Sequence, residues 1–271
     1  IYSVGLLWSY AYQFDRIKNN FKLAGIIFKR DNIDKVLDEI RDPAVIAFSC
    51  YVWNVKYCLI LAEKIKQRWP DCVIQFGGPQ TSGAMSKHKF IDSIILGEGE
   101  EQFLETLRII ARDQKPELFY SKQRLQDLNI PSPYTSGVFD TMMAQHPNVV
   151  WNMTFETNRG CPYQCTFCDW GSATASKVAR FELDRIFDEL EWFTKHKIEY
   201  IFVCDANFGS LKRDIEIAQR VADLRRKTGF PQGFSVQSTK NATDRAYITQ
   251  KILSDAGLNK GVALSMQSLD P

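Results

Sequence analysis

Three cysteines within eight residues are the feature that most limits what this chain can be. Cys161, Cys165 and Cys168 have the spacing C-x3-C-x2-C and directly follow a predicted strand. Thiolates on one tight loop can ligate three irons of a cubane cluster, because soft sulfur ligands suit iron–sulfur sites. The fourth iron would stay open to a substrate or cofactor, as the open position does in catalytic zinc sites.

Two simpler interpretations of these cysteines stay open, a zinc site and plain core packing. Structural zinc usually uses paired C-x2-C elements and four protein ligands. Here His146 and His196 stand alone, and no second Cys/His pair lies nearby. The chain has seven cysteines, an odd number that argues against a secreted disulfide framework. The four outside the triplet are scattered along the chain, at Cys50, Cys58, Cys72 and Cys204.

Length, composition and charge indicate a globular protein of one large or two modest domains. The chain has 271 residues, 45% of them hydrophobic and 24% charged. Its 34 basic and 32 acidic residues leave a net charge of +2, which disfavours a nucleic-acid partner. No apolar run reaches the roughly 18 residues of a membrane span, and no signal peptide opens the sequence. These features predict a soluble, cytoplasmic protein.

The first half of the sequence alternates short apolar runs with stretches of helical spacing. This alternation predicts βαβ units around a parallel sheet covered on both faces. The predicted strands are residues 23–28, 44–49, 72–76 and 93–96. The predicted helices are residues 32–41 behind Asp31, 55–69 behind Asn54, and 100–112. Residues 3–20 look helical as well, so a first strand is expected to be missing ahead of them.

A proline-punctuated stretch, residues 114–148, is predicted to link this domain (residues 1–113) to a second one (residues 149–271). In the second domain the alternation resumes. The predicted strands are residues 149–156, 200–204, 233–236 and 262–266, and the predicted helices are residues 183–196, 211–227 and 244–256. The chain ends directly after the fourth strand, which would leave an uncovered sheet edge. We therefore expect the carboxyl end to be truncated.

The cysteine motif resembles the hallmark of the radical S-adenosylmethionine superfamily, C-x3-C-x-aromatic-C after the first strand of a partial TIM-type barrel. Phe167 fills the aromatic place. The resemblance implies a [4Fe–4S] cluster on Cys161, Cys165 and Cys168, with S-adenosylmethionine bound to the open iron. It covers the sequence from Val149 to the end.

Polar residues at the ends of the later strands are candidates for contacts with S-adenosylmethionine, since active sites of parallel barrels lie at the carboxyl ends of strands. By resemblance, the segment that contains Asp205 and Asn207 matches the place that holds the methionyl amino group. Ser235 and Gln237 match the place of ribose or carboxylate contacts. The segment departs from the usual Gly-Gly-Glu, and ordinary capping of strand ends is the alternative interpretation.

Three loops follow the predicted strands of the first domain, where a doubly wound sheet binds its ligands. Neither a phosphate loop nor a dinucleotide fingerprint is present, and tight glycine turns are the simpler interpretation. The order Gly-Gly-Pro-x-x-Ser then Gly-Glu-Gly-Glu, however, resembles the Rossmann-like, flavodoxin-like domain that binds cobalamin ahead of many radical S-adenosylmethionine domains. Residues 130–134 are similar to the segment that joins the two. The contact residues that this implies are Ser49, Tyr51, Gly77, Gly78, Pro79, Gly97, Glu98 and Gly99.

A D-x-H-x-x-G motif, which supplies an axial histidine in some corrinoid domains, is absent. The only histidine of the first domain, His88, lies in a polar stretch. The resemblance therefore implies base-off cobalamin without histidine ligation.

For function, the resemblance implies a cobalamin-dependent methyltransferase. Such an enzyme acts on an unactivated carbon through a 5′-deoxyadenosyl radical and methylcobalamin, and takes electrons from flavodoxin or ferredoxin. Two alternatives stay open: a cyclase or rearrangement enzyme without net methylation, and a non-catalytic iron–sulfur or corrinoid-binding module. A methylthiotransferase fits less well, because Cys50, Cys58 and Cys72 are a poor match to a second cluster. The substrate, a small molecule or a peptide, is not predicted.

Overall fold

The computed structural model of the chain describes residues 1–121, 125, 127–165, 168, 177–239 and 244–259. It contains two compact units. Ile1 and Ser3–Leu125 form the first unit, and Tyr2 and Gln126–Pro271 form the second. Both are α/β units built on parallel sheets, as the alternation of the sequence predicts. No helix in the described ranges is long and apolar enough to span a membrane.

The first unit is a four-stranded parallel sheet with the strand order β1-β2-β3-β4. Its strands are β1 Val45–Ser49, β2 Val73–Gly77, β3 Ser93–Leu96 and β4 Phe119–Ser121. Its helices are α1 Tyr2–Ala11, α2 Asp15–Asn20, α3 Ile33–Glu39, α4 Val55–Arg68 and α5 Glu100–Ile110, with a 3₁₀ helix at Gly83–Lys87. In-register pairing aligns Ser49 with Gly77, so β1 and β2 end together.

Helices cover both faces of this sheet. Successive strand residues point to opposite faces. Ile94 of β3 belongs to a buried core with Leu61 and Ile65 of α4. The next residue, Ile95, belongs to another core with Leu104 of α5. The near-continuous apolar runs of β2 and β3 follow from this burial on two sides.

Several predicted elements differ from the observed ones. Residues 23–28 form no strand: Ile27 is 47% exposed, and in the described part of the chain the sheet begins at β1, so this apolar run has no ladder to join. Helix α3 is capped by Asn32 rather than Asp31, because the Asn32 side chain accepts hydrogen bonds from the backbone N–H groups of residues 34 and 35. Residues 3–20 form two helices, α1 and α2, instead of one.

The segment predicted as a linker has structure of its own. It contains β4 and a helix, α6 Asp140–Gln145, and the two units divide within it. Its prolines interrupt regular elements, yet Tyr134 and Phe139 within it are fully buried. The predicted strand at residues 262–266 lies outside the described residues.

The second unit carries three parallel strands in the order β5-β8-β9, each followed by a helix along the chain. The strands are β5 Asn152–Phe155, β8 Tyr200–Val203 and β9 Gly233–Ser235. The helices are α7 Leu183–Lys195, α8 Arg213–Thr228 and α9 Asp244–Asp255. Helix α8 ends at Gly229, whose φ of 83° is a left-handed conformation that glycine adopts freely.

A short antiparallel ladder stands after β5. β6 Asn158–Arg159 pairs with β7 Ala179–Arg180. The stretch between these two strands, which contains the three cysteines of the motif, is called the cysteine segment below. The pairing holds its two ends side by side. Arg213, the first residue of α8, also stabilises the ladder at its outer ends. Its side chain donates to the carbonyls of Phe181 (2.7 Å) and Thr157 (3.2 Å).

Tyr134 is the centre of an aromatic cluster in the core of the second unit. Its ring lies 4.7 Å from that of Phe193, 5.1 Å from Trp192 and 5.3 Å from Phe139. Its hydroxyl donates to the carbonyl of Thr154 in β5. One side chain of the predicted linker therefore packs the helix α7 against the first strand of this sheet.

A buried carboxylate joins the ends of β5 and β8. Oδ1 of Asp205 accepts from the backbone N–H groups of Thr157 (2.8 Å) and Asn158 (3.2 Å). Oδ2 accepts from the Asn158 amide (2.8 Å) and from the Thr157 hydroxyl. Burial raises the pKa of Asp205 to about 7, while the hydrogen bonds from Thr157 and Asn158 act in the opposite direction.

Replacement of Tyr134 by alanine should lower the free energy of unfolding by about 3–5 kcal/mol, because a cavity is left among the packed rings. Tyr134→Phe should cost about 1 kcal/mol through the lost hydrogen bond. Tyr247→Ala is the matched control, since Tyr247 is 68% exposed on α9, and it should stay within about 0.5 kcal/mol of the unsubstituted protein. Urea unfolding followed by tryptophan fluorescence measures all three. Equal losses at positions 134 and 247 would contradict the packing.

The raised pKa of Asp205 predicts a pH-dependent stability. Between about pH 4 and pH 7 the folded protein keeps a proton on Asp205 that the unfolded chain has released. The contribution of Asp205 therefore falls as pH rises through this window, by at most about 1.4 kcal/mol per pH unit. Asp205→Asn should remove this part of the slope in urea unfolding measured at a series of pH values. The exposed substitution Asp71→Asn should keep it, and identical slopes for both variants would refute the assignment.

Candidate functional site

The cysteine segment lies between β6 and β7, beyond the carboxyl end of β5. Cys161 and Cys165 are half-buried, Cys168 is exposed, and all three are free thiols. The backbone N–H of Cys168 donates to the carbonyl of Cys165 at 3.0 Å, which closes a turn between them. Phe167, the predicted aromatic position, lies outside the described residues.

The donor set of this segment fits an iron–sulfur cluster in its chemistry. Three unpaired thiols come from one short stretch of backbone, and thiolate is the ligand that such clusters require. Their sulfur atoms are not gathered in the structure: among the described residues, no three His, Cys, Asp or Glu side chains are close enough to hold one metal ion. The structure thus places the predicted ligands on one loop but does not bring them together.

The polar residues beyond β8 turn toward the cysteine segment. Nδ2 of Asn207 lies 3.1 Å from Sγ of Cys161 and donates a hydrogen bond to it. Asp205, two residues earlier, holds Thr157 and Asn158 at the start of the same segment. Oδ1 accepts these backbone N–H groups and Oδ2 accepts from the side chains of the same two residues, so Asp205 binds the protein's own residues through both oxygens.

The remaining sequence candidates of the second unit, Ser235 and Gln237, lie at and just beyond the end of β9. Ser235 is the last residue of β9 and pairs with Phe202 of β8. The carbonyl of Gln237 accepts from the backbone N–H of Phe208 at 2.8 Å. Burial raises the pKa of the Cys204 thiol to about 12, with Glu156 and Asp205 adding to the effect. Cys204 therefore stays protonated near neutral pH and is a poor nucleophile.

The sequence does not predict the roles of two arginines, Arg159 and Arg213, whose side chains stabilise the backbone next to the cysteine segment. Nε of Arg159 lies 2.9 Å from Oε1 of Glu156, and both side chains are largely buried at the end of β5. The spacing of three residues between them was the only available signal. The two carbonyls that accept from Arg213 belong to residues more than thirty positions away in the sequence. Nothing in the sequence around Arg213 indicates these contacts.

In the first unit, backbone hydrogen bonds connect the loops after β1 and β2. The N–H of Cys50 donates to the carbonyl of Gly77 (2.7 Å), and the N–H of Gln80 donates to the carbonyl of Cys50 (3.1 Å). Gly78, between them, has a φ of +103°, and a Cβ there would lie 2.8 Å from the backbone N and O of Cys50. Only glycine fits this place, because the two loops are in backbone contact.

The third predicted loop joins the same edge of the sheet. The hydroxyl of Thr81 donates to the carbonyls of Gly78 (2.7 Å) and Ile95 (3.1 Å), so the loop after β2 also contacts the end of β3. Gly97 has a φ of +96°, and Gly99 is the residue that precedes α5. The carboxylate of Glu98 accepts from the backbone N–H of Leu125 at 3.1 Å.

Exposed apolar side chains lie at this edge. Val52 is 71% exposed and Trp53 is 62% exposed, and both lie in the loop after β1. The ring of Tyr51 stacks on that of Trp53, with centroids 4.6 Å apart. Ser49 ends β1, where its hydroxyl lies 3.3 Å from that of Ser3, and Pro79 is exposed. The structure therefore brings the predicted contact residues of the three loops to one edge, beside an apolar surface.

Comparison with known proteins gives a sequence match over almost the whole chain. No model of a protein family matches. The cobalamin-dependent radical SAM methyltransferase TokK of Streptomyces tokunonensis is 38% identical over 98% of this chain. The 2-(S-pantetheinyl)-carbapenam-3-carboxylate methyltransferase of Streptantibioticus cattleyicolor is also 38% identical over 98% of it. The chain spans 42% of the length of each of these relatives.

Solved structures show the same fold at low identity. The cobalamin-dependent S-adenosylmethionine radical enzyme OxsB, with aqua-cobalamin and S-adenosylmethionine bound, matches 95% of this chain and 40% of its own, with a TM-score of 0.64 and 16% identity. The radical S-adenosylmethionine methyltransferase TsrM from Kitasatospora setae matches 95% of this chain and 63% of its own, with a TM-score of 0.64 and 14% identity.

The likeness covers 98% of this chain in sequence and 95% in fold, so it extends over both units. On these grounds the chain belongs to the family of cobalamin-dependent radical S-adenosylmethionine methyltransferases.

Proposed function

We propose that this chain is the cofactor-binding part of a methyltransferase that transfers a methyl group to an unactivated carbon. The observation that carries the proposal is the 38% identity to two curated methyltransferases over 98% of the chain. The free cysteine triplet beyond β5 and the connected glycine loops of the first unit support it from the structure.

In the second unit, Cys161, Cys165 and Cys168 would hold the [4Fe–4S] cluster. When bound, the cluster with S-adenosylmethionine supplies a 5′-deoxyadenosyl radical, and cobalamin carries the methyl group that is transferred. Asp205 fixes the backbone at the start of the cysteine segment. Ser235 and Gln237, at and just beyond the end of β9, are the proposed contacts of S-adenosylmethionine, together with Phe167. The amide of Asn207 donates to Cys161, so Asn207 is proposed to contact a cluster ligand.

In the first unit, the loops after β1, β2 and β3 would face the cobalamin ring. Gly78 lets two loops approach at backbone distance, and the exposed Val52 and Trp53 offer an apolar surface to a flat macrocycle. His88, the only histidine of this unit, precedes β3 and contacts the ring of Phe90, so it lies away from the carboxyl ends of the strands. This arrangement supports cobalamin bound without a histidine ligand.

The substrate and the electron donor are further parts of the proposal. A carbapenam carboxylate is the first substrate to test, because one 38% identical relative is named for methylation of 2-(S-pantetheinyl)-carbapenam-3-carboxylate. A reduced flavodoxin or ferredoxin would supply the electrons, in a cytoplasmic setting. Formation of both deoxyadenosine and S-adenosylhomocysteine would support methyl transfer, and absence of the second product would contradict it.

Loss of one cysteine of the triplet should abolish the radical chemistry. Cys165→Ala should lower the iron content of the anaerobically reconstituted protein well below about four per chain and stop reductant-dependent formation of deoxyadenosine. Cys72→Ala is the control, because Cys72 is buried in the core of the first unit. Iron and deoxyadenosine are measured for both variants; full activity of Cys165→Ala would contradict the ligand assignment.

A side chain at position 78 should impair cobalamin binding. Gly78→Ala forces a Cβ against the backbone of Cys50 at a positive φ, whereas Gly83→Ala meets nothing within 4 Å. We expect cobalt retained after desalting to fall in the first variant and to stay at about one per chain in the second.

Because Gly78→Ala could also disturb folding, Trp53→Ala serves as a second test on an exposed side chain. Removal of this ring from the apolar surface should weaken cobalamin binding while leaving the unfolding transition unchanged. Undiminished cobalt in both Gly78→Ala and Trp53→Ala would place cobalamin elsewhere.

A further inference from the structure

Asn207 contacts one of the three proposed cluster ligands from a different strand. Its Nδ2 lies 3.1 Å from Sγ of Cys161, across 46 residues of sequence, and the residue is only 8% exposed. Because the Asn207 amide is largely shielded from water, its N–H group depends on a protein acceptor, and Sγ of Cys161 is that acceptor. The contact is therefore a defined feature of the site rather than a surface encounter.

The backbone around Asn207 is fixed on both sides. Asp205, two residues before, is bound to Thr157 and Asn158. Phe208, directly after, donates to the carbonyl of Gln237 (2.8 Å) and accepts from the N–H of Thr239 (3.0 Å).

The turn that follows is held by a further carboxylate. Oδ2 of Asp214 accepts from the backbone N–H groups of Gly209 (2.8 Å) and Leu211 (2.9 Å). These bonds fix the path of the whole loop after β8. The Asn207 amide is thus pre-positioned for Cys161 and does not depend on a mobile side chain.

The direction of this hydrogen bond follows from the chemistry of a cluster ligand. A cysteine that binds iron is a thiolate and has no proton to donate, so it can only accept. The amide must therefore present its N–H to sulfur, because the reversed orientation would place the amide oxygen against the sulfur lone pairs. An N–H donor to a ligand sulfur draws negative charge away from iron.

We propose that Asn207 is a positioning residue that raises the reduction potential of the cluster through its hydrogen bond to Cys161. This inference rests on the proposed function, since it requires the cluster on the cysteine triplet. Reduction adds one electron to the oxidised [4Fe–4S] cluster and takes up no proton, so the reduced form carries more negative charge. A fixed donor stabilises that form, because hydrogen bonds to the sulfurs are among the factors that set cluster potentials.

The test is a redox titration of the anaerobically reconstituted protein without S-adenosylmethionine, with dithionite as reductant and the reduced cluster measured by electron paramagnetic resonance. In Asn207→Ala the ratio of reduced to oxidised cluster at a fixed potential should fall about tenfold, which is about 59 mV for a one-electron couple. Asn207→Asp keeps the shape and removes the donor, so its ratio should fall at least as far.

Asn259→Ala is the matched control, because the Asn259 amide donates to Gln250 and not to a cysteine. It should keep the ratio of the unsubstituted protein. An unchanged ratio in both Asn207 variants at full iron content would overturn the inference. A difference that arises only after S-adenosylmethionine is added would also overturn it, since Asn207 would then act on that molecule.

Iron content separates this inference from the proposed function. If both Asn207 variants lose iron while the unsubstituted protein keeps about four per chain, Asn207 retains the cluster rather than setting its potential, and the inference is wrong. If the unsubstituted protein itself binds no iron, the proposed function fails and this inference fails with it.

Discussion

The hydrogen bonds accepted by Asp205 are the contact on which the geometry of the second unit depends. One carboxylate binds Thr157 and Asn158 at the end of the first strand, while its own backbone follows the second. Parallel strands otherwise diverge into separate loops at their carboxyl ends. Here the two loops leave the sheet already joined, so the start of the cysteine segment and the loop that carries Asn207 have a fixed relation to each other.

Much of the fold could be predicted from the sequence because periodicity reports burial. Strand β3 and the starts of α4, α5 and α7 lie where the apolar patterns predict them, since these elements are buried on the faces that the patterns indicate. The strand predicted at residues 23–28 is absent because this apolar run is not buried between two layers: Ile27 is 47% exposed. An apolar run predicts a strand only when another strand lies beside it, and this condition depends on residues far away in the sequence.

The candidate site divides in a similar way. The cysteine triplet and the paired glycines are local motifs, so their positions could be read directly. The partner of Cys161 could not, because Asn207 was singled out by its place at a strand end and not by any signal that it faces sulfur. The contacts of Arg213 could not be predicted for a related reason. Its partners are backbone carbonyls, which every residue has, so the residue types in the sequence do not reveal them.

The ladder between β6 and β7 has a consequence for how metal binding couples to folding. Pairing of Asn158 with Arg180 and of Arg159 with Ala179 holds the two ends of the cysteine segment together independently of any ligand. Closing a loop costs conformational entropy that grows with its length. The protein's own ladder meets that cost when the unit folds, so cluster assembly does not have to bring the ends of this segment together.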